Sequence, residues 1–279
     1  MSRFSAQRRG GFTLPDLLLV LLLVVLGGGM LLASVARSRA LANRTVSLNN
    51  LKSLALASRT YADKHGGKLP PGMATLVPSG PLASGTVAHY GPCLFHLLPF
   101  LEEKTLYKAS IVEVGQGRVY ASWELAGKPI TRFVAPGDPT ADPRSDRTSY
   151  LVNGLAFPST IARIPESFPF GLSNSIFFAE GYSRAVDLFP GGSDPTKPRT
   201  LDRRWWDNPT WSAMPTAITF QVAPPMHSAS ALLPQGFEPA GINVAMGDGS
   251  SRLVNPKCRA TTFFAACVCD VGEILGADW

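Results

Sequence analysis

The sequence GGFTLPD, at residues 10–16, follows a short segment with three arginines and leads into an apolar run at 17–33. The run consists mostly of leucine and valine, and with its continuation to residue 36 it has the roughly 20 residues that span a bilayer. Asp16 is the only carboxylate among the first 36 residues. A charged side chain in a membrane helix costs about 2.5–3.5 kcal/mol, so such a residue is a functional candidate. The stretch therefore predicts a membrane helix that carries one chemically distinctive side chain.

Two interpretations of this opening compete. A basic start and an apolar core are typical of a secretory signal that is cleaved off, here at the small residues 33–36. The core is long for such a signal, however, and these small residues stand at its far end. In the other interpretation the cut follows Gly11 and the apolar run stays in the mature protein. Gly-Phe-Thr-Leu-x-acid after a short basic leader resembles the processing site of type IV prepilins and type II secretion pseudopilins, and this favours the second interpretation.

The resemblance implies a role for each residue around the cut. Residues 1–11 form the leader, Gly11 precedes the cut, and Phe12 becomes the N-methylated terminus. Asp16 stands where the family usually has glutamate, and in that family the acid pairs with the terminal amine of a neighbouring subunit. The alternative for Asp16 is a local role at the helix start, where Thr13 caps the helix and an acid in the first turn complements the helix dipole. The two roles are compatible.

A single long helix is predicted for residues 12–64. Its first part, 12–36, is apolar all round and forms the predicted transmembrane half. The second part, 37–64, has an apolar stripe with spacings of three and four and polar residues opposite, which is typical of an amphipathic helix that packs on a domain. Because glycine is a poor helix former, the triplet at 27–29 predicts a bend or local melting, or else a close helix–helix contact. The two glycines after His65 predict the helix end.

Residues 65–279 predict an exported globular α+β head. The chain has 24 prolines and 26 glycines, and long turn-rich connections separate short β-type segments in the head. A short helix pair broken at Pro99 is predicted within 95–107. Strands are predicted at 118–122, 130–134, 149–153, 175–180, 217–222 and 242–246. The predicted fold class is α+β and pilin-like, with a long N-terminal helix packed on an antiparallel β-sheet with long irregular loops.

A second set of short motifs runs in order along nearly the whole chain. The motifs are NNLK (49–52), LPPG (69–72), LLPFLE (97–102), DP (138–139), SY (149–150), GLSNS (171–175), AEG (179–181), GINVAMGDGS (241–250) and GEILGADW (272–279). In this order they resemble a large bacterial family of pseudopilin-like proteins with a body domain of unknown function. That family has a C-terminal motif of His, nine residues and Asp-Gly. This chain has Asp248-Gly249, but Glu238 stands in place of the histidine. The family's Cys-Pro-Ser-Asp-Pro is Ala-Pro-Gly-Asp-Pro at 135–139, so a thiol role there is lost.

The pair Asp248-Gly249 has two interpretations. Asp-Gly after the alternating segment 242–246 predicts a tight hairpin turn, with the return strand at 252–254. The resemblance also allows a cation site, because some pseudopilin heads bind calcium near their C-terminus. Asp138 and Asp142, on a proline-rich loop, are further calcium candidates, although their spacing differs from that of an EF-hand loop.

The four cysteines are Cys93, Cys258, Cys267 and Cys269. An exported head meets an oxidising compartment, so disulfide pairing is plausible. Cys258 with Cys267 or Cys269 would close a short C-terminal loop, a place where pilins often carry one. The alternative is that these residues are buried free thiols.

The sequence offers little support for a catalytic function. We expect that the protein is not an enzyme and that it binds no cofactor beyond the calcium just named. The chain has no HExxH, Gly-x-Ser-x-Gly or phosphate-loop motif. Its net charge is +6, but no Lys/Arg block is interleaved with aromatic residues, so we expect no nucleic-acid partner. Trp205, Trp206 and Trp211 either form an exposed cluster for a sugar or protein, or lie at least in part in the core.

The sequence thus predicts a pseudopilin-like structural subunit of a type II secretion-like pseudopilus or a surface filament. The expected partners are the prepilin peptidase and methylase, the inner membrane and other pilin-like subunits. The expected location is the inner membrane, crossed once, with the head in the periplasm or, after assembly, at the cell surface. The alternative is a membrane-anchored binding module for a glycan or a protein that does not polymerise.

Overall fold

The computed structural model describes residues 14–76, 85, 87–160, 162–187, 199–207, 209–211, 219–268, 275–276 and 278–279. The protein has a mixed α+β fold with an N-terminal helix and several β-sheets. It divides into two compact units, Met1–Ala42 and Asn43–Trp279. We call the second unit the body. The body begins within the first helix, well before the predicted head boundary at residue 65.

Helix α1 (Leu14–Lys64) has 51 residues and begins with Asp16 in its first turn. An acid there interacts favourably with the positive end of the helix dipole. The helix ends where predicted: the next residues include Gly66 and Gly67, with φ of +62° and +83°. The Gly67 N–H donates to the Ala62 carbonyl at 2.8 Å, which satisfies one of the last carbonyls of the helix. The backbone remains helical through the glycine triplet, so the predicted local melting is wrong.

The side chains at 14–25 are exposed and, apart from Pro15 and Asp16, are leucines and valines. Gly11 and Phe12 lie outside the described residues, as do the side chains of 26–33. Over the part of the chain that is described, no helix has the length and apolar character required to cross a membrane. The transmembrane half at 12–36 stays a prediction.

The described part of the body contains three shorter α-helices: α2 (Cys93–Leu97), α3 (Lys104–Ala109) and α4 (Ala260–Cys267). A four-stranded sheet has the order β1-β2-β4-β3. Its strands are β1 (Met73–Leu76), β2 (Val87–Pro92), β3 (Ile111–Val114) and β4 (Gly117–Ala121). The outer pairs are antiparallel, whereas β2 and β4 run parallel. The helix pair predicted at 95–107 is confirmed as α2 and α3, with a 3-10 turn at Leu98–Phe100 between them.

A five-stranded sheet forms the centre of the body, with the order β13-β12-β6-β5-β9. Its strands are β5 (Tyr150–Asn153), β6 (Ile176–Glu180), β9 (Thr210–Trp211), β12 (Ile242–Met246) and β13 (Ser251–Val254). Two small pairs complete the described strands: β7 (Arg184–Asp187) with β8 (Arg199–Asp202), and β10 (Gln221–Val222) with β11 (Gln235–Gly236). Every residue of β5, β6 and β12 is buried.

The central sheet is covered on both faces. Leu51 and Leu54 of α1 belong to one core cluster, together with Tyr150, Val152, Phe178 and Ala245 of the sheet. Phe263 and Ala266 of α4 belong to a second cluster, together with Leu151, Ile176, Val244 and Met246. Alternate residues of a strand point to opposite faces, so the two clusters lie on opposite sides of one sheet. The fully buried strands follow from this three-layer arrangement.

Two predictions about the sheet are wrong. Residues 130–134 contain a 3-10 turn at Thr131–Phe133 in place of a strand, with Phe133 buried. The β-structure is not a single antiparallel sheet, because β2 with β4, β5 with β9 and β10 with β11 pair in parallel. A parallel pair needs a long crossover, which the turn-rich connections supply. The strands predicted at 118–122, 149–153, 175–180 and 242–246 are confirmed within a residue at each end. Of 217–222, only 221–222 is described as strand.

Candidate functional site

The predicted Asp-Gly turn is confirmed as the β12–β13 hairpin. Asp248 Oδ1 accepts hydrogen bonds from the Ser250 N–H at 2.8 Å and the Ser250 hydroxyl at 2.6 Å. Arg59 of α1 donates to the Asp248 carbonyl at 2.7 Å. A Cβ placed on Gly249 would stand 2.7 Å from Leu56 Cδ2, so the turn lies directly against α1. The turn at Asp248 and Gly249 therefore packs the β12–β13 hairpin against α1.

The calcium candidates do not gather at one place. Among the described residues, no three side chains of the His, Cys, Asp or Glu types form a metal-binding group. Asp138 is buried and already accepts from four donors, namely Thr140 N and Oγ1, Ser149 Oγ and Ser183 N, at 2.7–2.9 Å. Asp142 Oδ1 accepts from the Arg144 N–H at 3.0 Å. Asp138 therefore holds loops together in the body core.

The disulfide between Cys258 and Cys267 is absent, because Cys258 is a free thiol. Cys267 is the last residue of the eight-residue α4, and Cys258 precedes its first turn. A helix of that length spans roughly 12 Å. A disulfide requires Cα atoms within about 7 Å, so the helix holds the two residues too far apart. Cys269 lies outside the described residues.

The tryptophans lie largely in the core. Trp205 is fully buried and Trp211 nearly so. The Trp205 Nε1–H donates to the Lys128 carbonyl at 2.9 Å, and the Trp206 Nε1–H donates to Asp146 Oδ2 at 2.6 Å. Core burial is thus confirmed, and the exposed cluster is wrong.

A polar cluster that sequence reasoning missed joins α1 to the central sheet, entirely within the body. Ser47 is buried on α1 and donates its hydroxyl hydrogen to Glu180 of β6. The Tyr150 hydroxyl on β5 donates to Ser47 Oγ at 3.3 Å and accepts from Asn50 Nδ2 at 3.1 Å. Asn243 of β12 is the fifth member. We call these five residues the junction cluster.

Glu180 is the centre of the junction cluster. Its carboxylate accepts from the Asn243 N–H at 3.0 Å and from Asn243 Nδ2 at 2.8 Å, in addition to Ser47. Burial raises the pKa of Glu180 to about 7, and the hydrogen bonds from Ser47 and Asn243 oppose part of that increase. The site therefore holds a carboxyl group that changes charge near neutral pH.

An ion pair between Arg44 of α1 and Glu238 lies beside the junction cluster. Glu238 occupies the place of the motif's histidine, and the structure gives it this partner on the helix. Both residues line a cavity of about 10 Å³, together with Glu180, Phe237 and Asn243. That volume fits one water molecule, which could donate to Asn243 Oδ1, a buried acceptor without a partner among the described residues.

The signal for the junction cluster was present in the motifs. Asn50, Tyr150, Glu180 and Asn243 belong to the NNLK, SY, AEG and GINVAMGDGS motifs in turn. Segments far apart in the sequence thus meet at one polar contact between helix and sheet. The arrangement can attach α1 to the body and take up a proton at Glu180. Comparison of the chain with family models, curated proteins and solved structures gives no match.

Proposed function

We propose that the protein is a structural subunit of the pseudopilin or type IV pilin-like class, cleaved after Gly11 and anchored by the first half of α1. The observation that carries this proposal is the 51-residue helix that begins at Leu14, immediately after the Gly-Phe-Thr processing sequence. A long N-terminal helix whose later half enters the core of an α+β body is the arrangement that such a subunit requires.

The exposed apolar side chains of α1 support the same proposal. Leu17, Leu18 and Leu19 are 65%, 56% and 59% exposed, and the following side chains to Val25 are similar. A contiguous apolar surface of this kind marks a contact with lipid or with another protein. Lipid would cover it before assembly, and the helices of neighbouring subunits would cover it afterwards.

Asp16 provides the proposed chemistry of assembly. Cleavage after Gly11 would create an amine at Phe12, four residues before the acid in the sequence. An ion pair between Asp16 and the amine of a neighbouring subunit would be strong in a low-dielectric environment and would set the position of one helix against the next.

The junction cluster suits a subunit that bears load. A pull on α1 reaches the body through the leucines of the helix and through the hydrogen bonds of Ser47 and Asn50. These contacts lie on three neighbouring strands, so the load spreads over the central sheet.

The proposal is tested on the protein expressed in cells with a prepilin peptidase. Mass spectrometry of the mature N-terminus should find methylated Phe12, and Asp16→Ala should abolish the high-molecular-weight assemblies that chemical cross-linking captures. Asp16→Glu should preserve them, as should Asp63→Ala, which removes the other acid of α1. A mature terminus beyond residue 33 would refute the processing step. Normal assembly of Asp16→Ala would refute the role of Asp16, whereas an absence of such assemblies from the natural protein would leave the non-polymerising binding module as the better description.

A further inference from the structure

A groove lies beside β13, at one edge of the central sheet. Its volume is about 550 Å³, and its lining includes Arg252, Leu253, Asn255, Lys257, Asp278 and Trp279. Pockets of 300–1,000 Å³ are typical of ligand-binding sites. Among the described strands, β13 pairs only with β12, and its other edge has no partner among them.

The groove presents cations without carboxylate partners. Arg252 and Lys257 are exposed, and neither forms an ion pair within the described residues. The Arg252 guanidinium lies 5.2 Å from the centroid of the Trp279 ring, which orients it by a cation–π contact. These two positive groups attract an anion into the groove.

Among the lining residues that the structure describes, Asp278 carries the one side-chain carboxylate, and that carboxylate is already engaged. Asp278 accepts from the Arg259 N–H at 2.7 Å, from Thr262 Oγ1 at 3.0 Å and from Arg259 Nε at 3.3 Å. Its charge is therefore matched by its own neighbours. The groove thus offers donors and positive charge to its ligand.

The edge of β13 places a second requirement on the ligand of the groove, in addition to negative charge. The N–H and C=O groups on this edge have no strand partner among the described residues, and such groups are complementary to the main chain of another extended peptide, which is the basis of strand addition. An isolated anion would satisfy the charges of Arg252 and Lys257 but would leave the main chain of β13 unmatched. The combination of edge and charge selects a peptide over a small anion.

We propose that this groove binds an extended acidic segment of a partner protein, which adds as a strand to β13 and places carboxylates against Arg252 and Lys257. The inference does not depend on polymerisation, because the groove lies wholly in the body. It names a docking surface that a filament subunit or an anchored binding module could use alike.

The test uses the full chain purified in detergent and a fluorescently labelled peptide in which valine and glutamate alternate. Fluorescence anisotropy should show saturable binding that weakens as salt increases, since exposed charges are screened. Arg252→Glu and Lys257→Glu should each weaken binding about tenfold or more, because each replaces attraction by repulsion. Arg118→Glu, at an exposed arginine of β4 in the other large sheet, is the matched control and should leave binding unchanged.

Four outcomes would overturn the proposal. Equal weakening by Arg118→Glu would mean that the peptide responds only to net charge. Undiminished binding of the same peptide with alternate amides N-methylated would exclude strand addition, because that peptide cannot complete the ladder. Displacement of the peptide by an oligogalacturonate at similar concentration would identify a general anion site. Absence of binding by the unmodified peptide would refute the proposal outright.

Discussion

Glu180 makes the stability of the body sensitive to pH. Its pKa is raised from 4.5 to about 7, so the folded state holds a proton that the unfolded state releases. The stabilisation from this group is complete below pH 4.5 and is lost as the pH rises through 7. It amounts to about 3 kcal/mol, from the size of the shift.

We expect Glu180→Gln to remove this dependence. Urea unfolding between pH 5 and 8 should show the free energy of unfolding of the natural protein falling relative to that of the variant as the pH rises. His96 acts in the opposite direction, because burial lowers its pKa to about 3 and its protonation opposes folding as the pH falls. It is common to both proteins and cancels in the difference. An unchanged pH slope in Glu180→Gln would contradict the prediction.

At the scale of single residues, sequence reasoning located local chemistry and missed long-range partners. Asp248 was predictable as a turn residue because its partner, Ser250, is two positions away. Glu180 belongs to the AEG motif, but the motif does not indicate its partners, since Ser47 and Asn243 are distant in the sequence and meet Glu180 only after folding. Glu238 was recognised as a departure from the family motif, yet its pairing with Arg44 required the structure.

At the scale of elements, Gly241 fixes the start of β12. Its φ is +133°, and a Cβ at this position would stand 2.0 Å from the Val254 carbonyl oxygen of β13. A backbone atom in a paired strand cannot move aside as a side chain can. Only glycine at position 241 therefore allows the start of β12 to pair with the end of β13.

Gly241→Ala should accordingly destabilise the body by about 3 kcal/mol or more, through backbone strain and loss of the adjacent pairing. Gly115→Ala is the matched control. Gly115 has a φ of +60° with open space around the added Cβ, so the cost there should be about 1 kcal/mol. Circular dichroism during urea unfolding measures both. Similar losses for the two variants would show that the contact with Val254 is relieved without cost.

Elements with a strong local pattern were predicted well. β12 was placed at its observed limits because an apolar stretch is followed by Asp-Gly. The segment 130–134 also has the pattern of a strand, but Phe133 is buried in a 3-10 turn. The Phe133 carbonyl accepts a hydrogen bond from the Ser149 N–H. Parallel pairing could not be inferred, since it depends on which distant strands meet. The glycine triplet misled because intrinsic propensity is a weak guide within a long helix.

For the whole molecule, the body should fold without the first unit and fail without the rest of α1. A chain that starts at Asn43 keeps Leu51 and Leu54, which are fully buried in the core. A chain that starts at Gly66 loses both, and each such leucine contributes about 2–5 kcal/mol. That loss is comparable with a total stability of about 5–15 kcal/mol.

Thermal unfolding followed by circular dichroism distinguishes these fragments. The fragment from Asn43 should unfold cooperatively, whereas the fragment from Gly66 should show no cooperative transition. Cooperative unfolding of the shorter fragment would mean that α1 is dispensable for the core. Sequence reasoning predicted the amphipathic packing of this helix, but it placed the head boundary after the helix, where the compact unit already includes residues 43–64.

The position of β12 in the sheet has a consequence for the order of events during synthesis. β12 lies between β13 and β6, yet it is encoded near the end of the chain, at Ile242–Met246. The ribosome delivers α1 first, so the apolar face of α1 in the body emerges long before β12, which is one of the inner strands of the sheet that covers it. The apolar face of α1 therefore stays without its complete sheet until the last tenth or so of the chain has been made, and an apolar surface exposed for that time makes the growing chain prone to aggregation.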